Sequence, residues 1–458
     1  MTPDLAMETE TKQNPLGRMA SVFTFLFEKA LPDPYVFAVI LTFVALVLAL
    51  QVAPSGSIQI IAASWYGGFS SIFSFAFQMV MMLTTGYALA KAPLIERGLR
   101  KLAAIPQQPE SAVSLTLLVS LTASWLNWGL GLVISALLAR EIASRIEIDF
   151  GWLVAAAYSG FVVSTEGLSG SIALSQATHA SPLNIVEEVT GNRIPLHQMI
   201  FARFNVAPVF LIFVALPILF RYLRPTAANA QIPNSAATKK DEIAKSTAPK
   251  DGIGESLDRA WVLNVAPALL ATFALGVEWV HKGLSLDLNS VILSLLILGL
   301  LLHWRPVAYV QAIRDAARVS GPLILQYPLY GGLMGIMTGT GLAEVIAKAF
   351  IRVATGHTLP FFTYLASLVI TFFVPSGGGH WAVQGPFAVA AARDLHASMA
   401  ATTMSVAMGE SVANMLQPFW ALPILAIAGI PMRRMMGFMV ITFFLSLTVF
   451  GASLLLLV

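Results

Sequence analysis

Cysteine is absent from all 458 residues, which excludes disulfides, thiolate metal ligation and thiol redox chemistry and leaves the redox compartment open. Charge is scarce too. Only 11% of residues are charged, where a soluble chain carries roughly 25%. What fills the gap is apolar: 57% of residues are hydrophobic and the mean hydropathy is +0.76. Candidate spanning runs recur along nearly the whole length, so the expected architecture is an all-α polytopic membrane protein with no room for an enzyme head or a soluble receptor domain. The net charge of +3 would suggest nucleic acid in a soluble protein, but here Lys and Arg sit between apolar runs, where they orient helices. The first 30 residues carry Glu8, Glu10, Lys12, Arg18 and Glu28 ahead of any apolar run, unlike a signal peptide.

Runs long enough to span are expected at 35–53, 69–90, 199–221, 261–280, 289–304, 320–338 and 436–457, given about 20 residues per crossing. Two further runs, 152–178 and 398–430, are long enough but interrupted by "STEGLSGS" and "GESVANMLQP", and are expected to be broken helices. That makes nine crossings. The segments 111–147 and 360–393 are interrupted at "LNWGLG" and "PSGGGHW"; limbs of about 11 to 16 residues are too short to cross, so both are expected to be re-entrant hairpins.

A polar, Pro- and Ala-rich stretch splits the chain near its middle. The expected organisation is a cytoplasmic N-terminal segment (1–34), a first repeat (35–221), a cytoplasmic linker (222–259), a connecting helix (260–288) and a second repeat (289–458). The basic clusters Lys91/Arg97/Arg100/Lys101, Arg140/Arg145 and Arg433/Arg434 are expected inside, and the uncharged 54–68 and the 179–198 segment outside. Each half runs span, span, amphipathic segment ("LIERGLRKLAAI" or "LAEVIAKAFIRVA"), hairpin, broken helix, span. Gly129 to Gly160 and Gly378 to Gly409 are both 31 positions apart, a register that sets Asn127 opposite Ser376 and Thr165 opposite Asn414. One connecting crossing would invert the second half against the first, a layout in which transporters bind substrate at the midplane. Glycine is common here, however, with 33 in the chain, so the matching spacing can also arise by chance.

Non-helical backbone at membrane depth persists only where protein or a water-filled cavity satisfies it, so each break is a candidate site. In "VPSGGGHW", Gly377, Gly378 and Gly379 can take positive φ and turn N–H groups toward an anion, with Ser376 and His380 as further donors and Trp381 and Gln384 just beyond. Asn127 and Gly129 mark the opposite break. The alternative for the glycines is tight helix packing. Ser164, Thr165, Ser169 and Ser171 in one broken helix, and Ser411, Asn414 and Gln417 in the other, offer oxygens for a sodium ion. Glu166 and Glu410 are intramembrane carboxylates, which take a proton or cation role or else pair with a residue such as Arg203. His380 either titrates or only holds the loop. Trp125, Trp128, Trp381 and Trp420 wall an apolar pocket or anchor the membrane interface.

The stretches "LPDPYVFAVILTF", "NWGLGLVISALLAREIA", "VPSGGGHWAVQGPF" and "QPFWALPILAIAGI" resemble the short-chain fatty acid transporter family over most of the chain outside the linker. The resemblance implies uptake of monocarboxylates such as butyrate or acetoacetate across a bacterial inner membrane by a secondary carrier, with no cofactor and with Na+ or H+ as coupling ion. The fold is also similar to the inverted-repeat carriers of the ion-transporter superfamily, which implies a homodimer and elevator motion. Two other classes remain in view. An intramembrane hydrolase would pair Ser376 with His380, but there is no GxSxG elbow and no third member. A channel would need a hydrated pore lined by the hairpins.

Overall fold

The computed structural model describes residues 33–179, 183–225, 253–282, 288–318, 320–375 and 377–458. Residues 1–32, most of the expected linker and Ser376 lie outside the described residues. Within them the regular structure is entirely helical.

Helix α1 (Pro34–Val52) starts where the side chain of Asp33 accepts from Tyr35 N at 2.9 Å and Pro34 presets the first turn. Ser57 caps α2 (Ile58–Ser71), which bends at Ile72 into α3 (Phe73–Ala90). The uncharged segment 54–68, expected as an outer loop, is thus mostly helix. One of its glycines serves contact: a Cβ on Gly68 would lie 2.3 Å from Gly331 O, where α2 crosses a later helix. Amphipathic α4 (Pro93–Ala103) leads to α5 (Pro109–Leu126) and α6 (Trp128–Ala143), the first hairpin.

The chain reverses at Asn127, a single extended residue. A Cβ on Gly131 would lie 2.6 Å from Ser124 Cα, whereas seven residues along one straight helix span about 10 Å. The first broken helix is α7 (Phe150–Ser159), a 3₁₀ turn at Gly160–Val163, an irregular stretch at 164–170, and α8 (Ser171–Ala177). Short α9 (Ile185–Thr190) and α10 (Leu196–Met199) precede α11 (Arg203–Tyr222).

The second half opens with α12 (Ile253–Asp258), α13 (Val262–Lys282), α14 (Leu288–His303) and α15 (Pro306–Arg318). Then come α16 (Gly321–Gly339), amphipathic α17 (Leu342–Ile351), and the second hairpin, α18 (Leu359–Thr371) and α19 (Gly377–Asp394). The second broken helix is α20 (Met399–Ala413), an irregular stretch at 414–420 and α21 (Ala421–Ala428); α22 (Arg433–Leu456) closes the chain.

Five helical stretches are long and apolar enough to cross a bilayer by length and composition: Tyr35–Val52, Ile58–Leu89, Arg203–Tyr222, Val262–His281 and Arg433–Leu456. The hairpin limbs are longer than the sequence suggests, since α5 and α19 each have 18 residues. Capping explains the difference. Pro109 starts α5 ahead of the apolar run, and α19 absorbs the glycines expected to be loop.

The halves repeat one packing scheme. α5 packs on α7 and α18 on α20; α4 packs on α6 and α17 on α19; α11 packs on α5 and α22 on α18. The likeness reaches single atoms. Ser120 Oγ donates to Ala157 O at 2.6 Å, and a Cβ on Gly160 would meet Ser120 Oγ at 2.4 Å. Ser367 Oγ donates to Val406 O at 2.7 Å, and a Cβ on Gly409 would meet Ser367 Cβ at 2.5 Å. In both halves a serine of the first limb bonds the carbonyl three residues before a glycine that lets the helices touch.

Candidate functional site

The first irregular stretch, 164–170, meets the C-terminal turns of α20, just before the second irregular stretch at 414–420, through hydroxyl and carboxylate groups. Thr165 Oγ1 lies 3.0 Å from both Ala407 O and Glu166 Oε1, and against Ser411 Oγ. Ser411 Oγ donates to Glu166 Oε2 at 3.1 Å. Glu166 is fully buried, and Asn205 Nδ2 donates to its backbone carbonyl at 3.0 Å. Neighbouring Glu410 is also buried, and its Oε2 makes no hydrogen bond among the described residues. Among the described residues neither glutamate has a Lys or Arg partner; Arg203 donates through Nε to Leu457 O instead. Among the described residues the buried hydroxyl of Ser164 has no hydrogen-bond partner, and neither has Asn414 Nδ2. Asn414 Oδ1 accepts from Gln417 Nε2 at 2.8 Å, and Gln417 Oε1 accepts from Phe419 N at 2.9 Å, so these two brace the second break from within.

Both hairpin tips reach the stretch 167–171. On one side Leu168 N donates to Trp125 O at 2.8 Å and Trp128 N to Ser169 Oγ at 2.9 Å, straddling Asn127. Asn127 itself caps α6, its Oδ1 accepting from Leu130 N at 3.0 Å, and a Cβ on Gly129 would strike Met82. On the other side a Cβ on Gly377 would lie 2.4 Å from Ser171 Oγ and 3.2 Å from Glu410 Oε2. The sequence offered no reason to bring Gly377 against both Ser171 and Glu410.

The triglycine differs from expectation. Gly377, Gly378 and Gly379 form the first turn of α19, and none of them has positive φ; among the described glycines only Gly191, Gly341 and Gly429 do. Missing side chains leave the N-terminal turn of α19 bare at its contact with Ser171 and Glu410, and the N–H groups of a first turn have no intrahelical acceptor.

His380 stands elsewhere. It is fully buried between the limbs, with Nε2 2.6 Å from Gln384 Oε1 and Nδ1 3.2 Å from Thr371 Oγ1, while Gln384 Nε2 donates to Thr363 O at 2.9 Å. His380 and Gln384 clamp α19 to α18. Trp381 is likewise buried and donates through Nε1 to Leu183 O at 3.0 Å.

An aromatic cluster adjoins the second break. Trp128 and Trp420 ring centroids lie 5.0 Å apart, and Phe161 lies 5.7 Å from Trp420. Phe419 contacts Tyr327 at 4.6 Å and Tyr330 at 5.2 Å, and Tyr158 donates to Asn414 O at 2.7 Å. Among the described residues the buried Tyr330 hydroxyl has no hydrogen-bond partner. These tyrosines were missed from the sequence; the pair in "QYPLY", three positions apart on one helix, was the available signal.

The profile of the Short chain fatty acid transporter family matches residues 15–457. The chain belongs to the short-chain fatty acid transporter family. An Escherichia coli K12 protein named "Putative short-chain fatty acid transporter" is 36% identical over 437 residues, which cover 95% of this chain and 98% of that one. A Haemophilus influenzae protein of the same name is 35% identical over 428 residues, covering 92% and 96%. Among solved structures, the Alcanivorax borkumensis YdaH transporter aligns over 95% of this chain and 97% of its own at 15% identity, with a TM-score of 0.44, too loose to carry an argument. With its apolar helices, this member of the family is a multi-pass membrane transporter and not an enzyme.

Proposed function

We propose that the protein is a secondary carrier of short-chain monocarboxylates, butyrate and acetoacetate among them, in the bacterial inner membrane, working as a homodimer by elevator-type alternating access. The observation that carries this is the meeting of two broken helices and two hairpin tips around buried carboxylates that no Lys or Arg pairs among the described residues. The substrate carboxylate binds at the first turn of α19, at Gly377, Gly378 and Gly379, with Asn127 and Gly129 shaping the opposite wall; Ser376, outside the described residues, is a further candidate donor. His380, Trp381 and Gln384 hold that turn in place from behind. The acyl tail lies against Trp128, Trp420 and the tyrosines of α16.

A co-bound cation, H+ or Na+, offsets the cost of moving an anion through low dielectric, and Ser164, Thr165, Glu166, Glu410, Asn414 and Gln417 are its candidate ligands. The halves are inverted repeats with re-entrant hairpins and nine crossings, supported by the twin contacts of Gly160 and Gly409. The segments 1–34 and 222–259 are cytoplasmic, and 260–288 joins the repeats. Purified protein in liposomes tests the function: saturable butyrate accumulation driven by an imposed proton or sodium gradient is expected. Conductance without saturation would mean a channel, and no butyrate movement under either gradient would overturn the proposal.

A further inference from the structure

We infer that Glu410 is the proton-coupling residue, and that its carboxylate competes with the transported carboxylate for the first turn of α19, so the substrate binds when Glu410 is protonated. This rests on the substrate site proposed above. Glu410 is 1% exposed, its Oε2 has no hydrogen-bond partner among the described residues, and that oxygen lies 3.2 Å from where a Cβ on Gly377 would be. The turn it faces is the positive end of an 18-residue helix, with glycine at each of its first three positions. One such end accommodates one negative charge well. A second carboxylate a few ångströms away, out of water, is repelled.

The positive helix end also selects the neutralising species. A sodium ion between Glu410 Oε2 and the α19 N-terminus would face the unfavourable end of the dipole, whereas a proton removes the charge without needing oxygen ligands. Charge balances: ionised Glu410 takes up one proton, the turn is vacated, and one monocarboxylate anion enters, so one proton and one anion move together. Among the described residues the elements around α20 supply no competing cation. The stretch after α7 brings Glu166, whose two oxygens are already held by Thr165 and Ser411. α19 brings His380, engaged with Gln384 and Thr371, and α18 brings Tyr364, which donates to Leu447 O. The titratable side chain of α10, His197, is exposed; α8 has none, and α22 carries its arginines, Arg433 and Arg434, only in its first turn.

Butyrate affinity of the purified protein, measured between pH 6 and 8 in sodium-free buffer, tests this. On the alkaline side the wild-type Kd should rise about tenfold per pH unit, the slope for one linked proton. Glu410→Gln should flatten that slope and abolish proton-driven accumulation. In weakly buffered solution, butyrate binding to the wild type should take up about one proton, a measurement that needs no variant. A retained slope in Glu410→Gln, a wild-type Kd insensitive to pH, or an absolute requirement for sodium would each overturn the inference. Gly377→Ala separates it from the site itself. The added methyl intrudes on Ser171 and Glu410 and should weaken butyrate at every pH. If it does not, the site is misplaced; if it does while Glu410→Gln keeps its slope, only the coupling role fails.

Discussion

Adding one methyl group at Gly160, and separately at Gly409, examines whether the two halves are built alike. A Cβ on Gly160 would sit 2.4 Å from Ser120 Oγ, 2.5 Å from its Cβ and 2.7 Å from Leu121 N; on Gly409 it would sit 2.6 Å from Ser367 Oγ, 2.5 Å from its Cβ and 2.7 Å from Tyr364 O. In each case a backbone atom of the first limb is in the way, so rotating the serine cannot relieve the overlap. The limb must recede by about 1 Å to restore van der Waals contact. Overpacking of this kind costs about 1–3 kcal/mol. The serine-to-carbonyl hydrogen bond at Ala157 or Val406 stretches with it, at about 1 kcal/mol. The sum is about 2–4 kcal/mol for either variant.

Thermal unfolding followed by tryptophan fluorescence in one fixed detergent measures it. Gly276→Ala is the control, since nothing lies within 4 Å of its added Cβ and alanine favours a helix interior. Adding Ser120→Gly or Ser367→Gly should restore part of the loss, because the polar and backbone atoms at 2.7 Å remain. A large loss at one glycine with a neutral change at the other would refute the equivalence of the halves.

Three further outcomes follow from the geometry. His380→Ala should lower stability by about 2–4 kcal/mol, because it strands the buried Gln384 Oε1 and empties a packed site between the limbs; a variant that melts like the wild type and only loses substrate affinity would contradict the clamp. Arg140 donates through Nη1 to Ile427 O at 3.1 Å, across to the last turn of α21, so Arg140→Ala should cost about 1–2 kcal/mol by the same thermal assay. Tyr330→Phe removes a buried hydroxyl without a partner and should leave stability unchanged or raise it by about 1 kcal/mol, while changing the ratio of butyrate to acetoacetate uptake in liposomes.

Much of the helix plan was legible in the sequence because a spanning helix must satisfy its own backbone and display apolar side chains. Runs such as 35–53, 199–221 and 436–457 therefore announce themselves. The segment 54–68 was not legible. Its glycines suit a turn and a helix crossing equally, and only the proximity of Gly331 to Gly68 decides between them. The same ambiguity hid the start of α19, where three glycines marked as a loop are helical.

At the site, Glu166 and Glu410 stood out because carboxylates are rare in apolar runs, and Asn127 because it interrupts one. The sequence by itself determined that this is an all-helical membrane protein of the short-chain fatty acid transporter family, because hydropathy and local motifs are properties of neighbouring residues. Only the tertiary structure decided that Ser411 donates to Glu166, that Gly377 faces Ser171 and Glu410, and that His380 turns inward to Gln384 and Thr371. Contacts such as Ser411 with Glu166 join residues some 245 positions apart, and side-chain direction at a helix break is set by what packs against it.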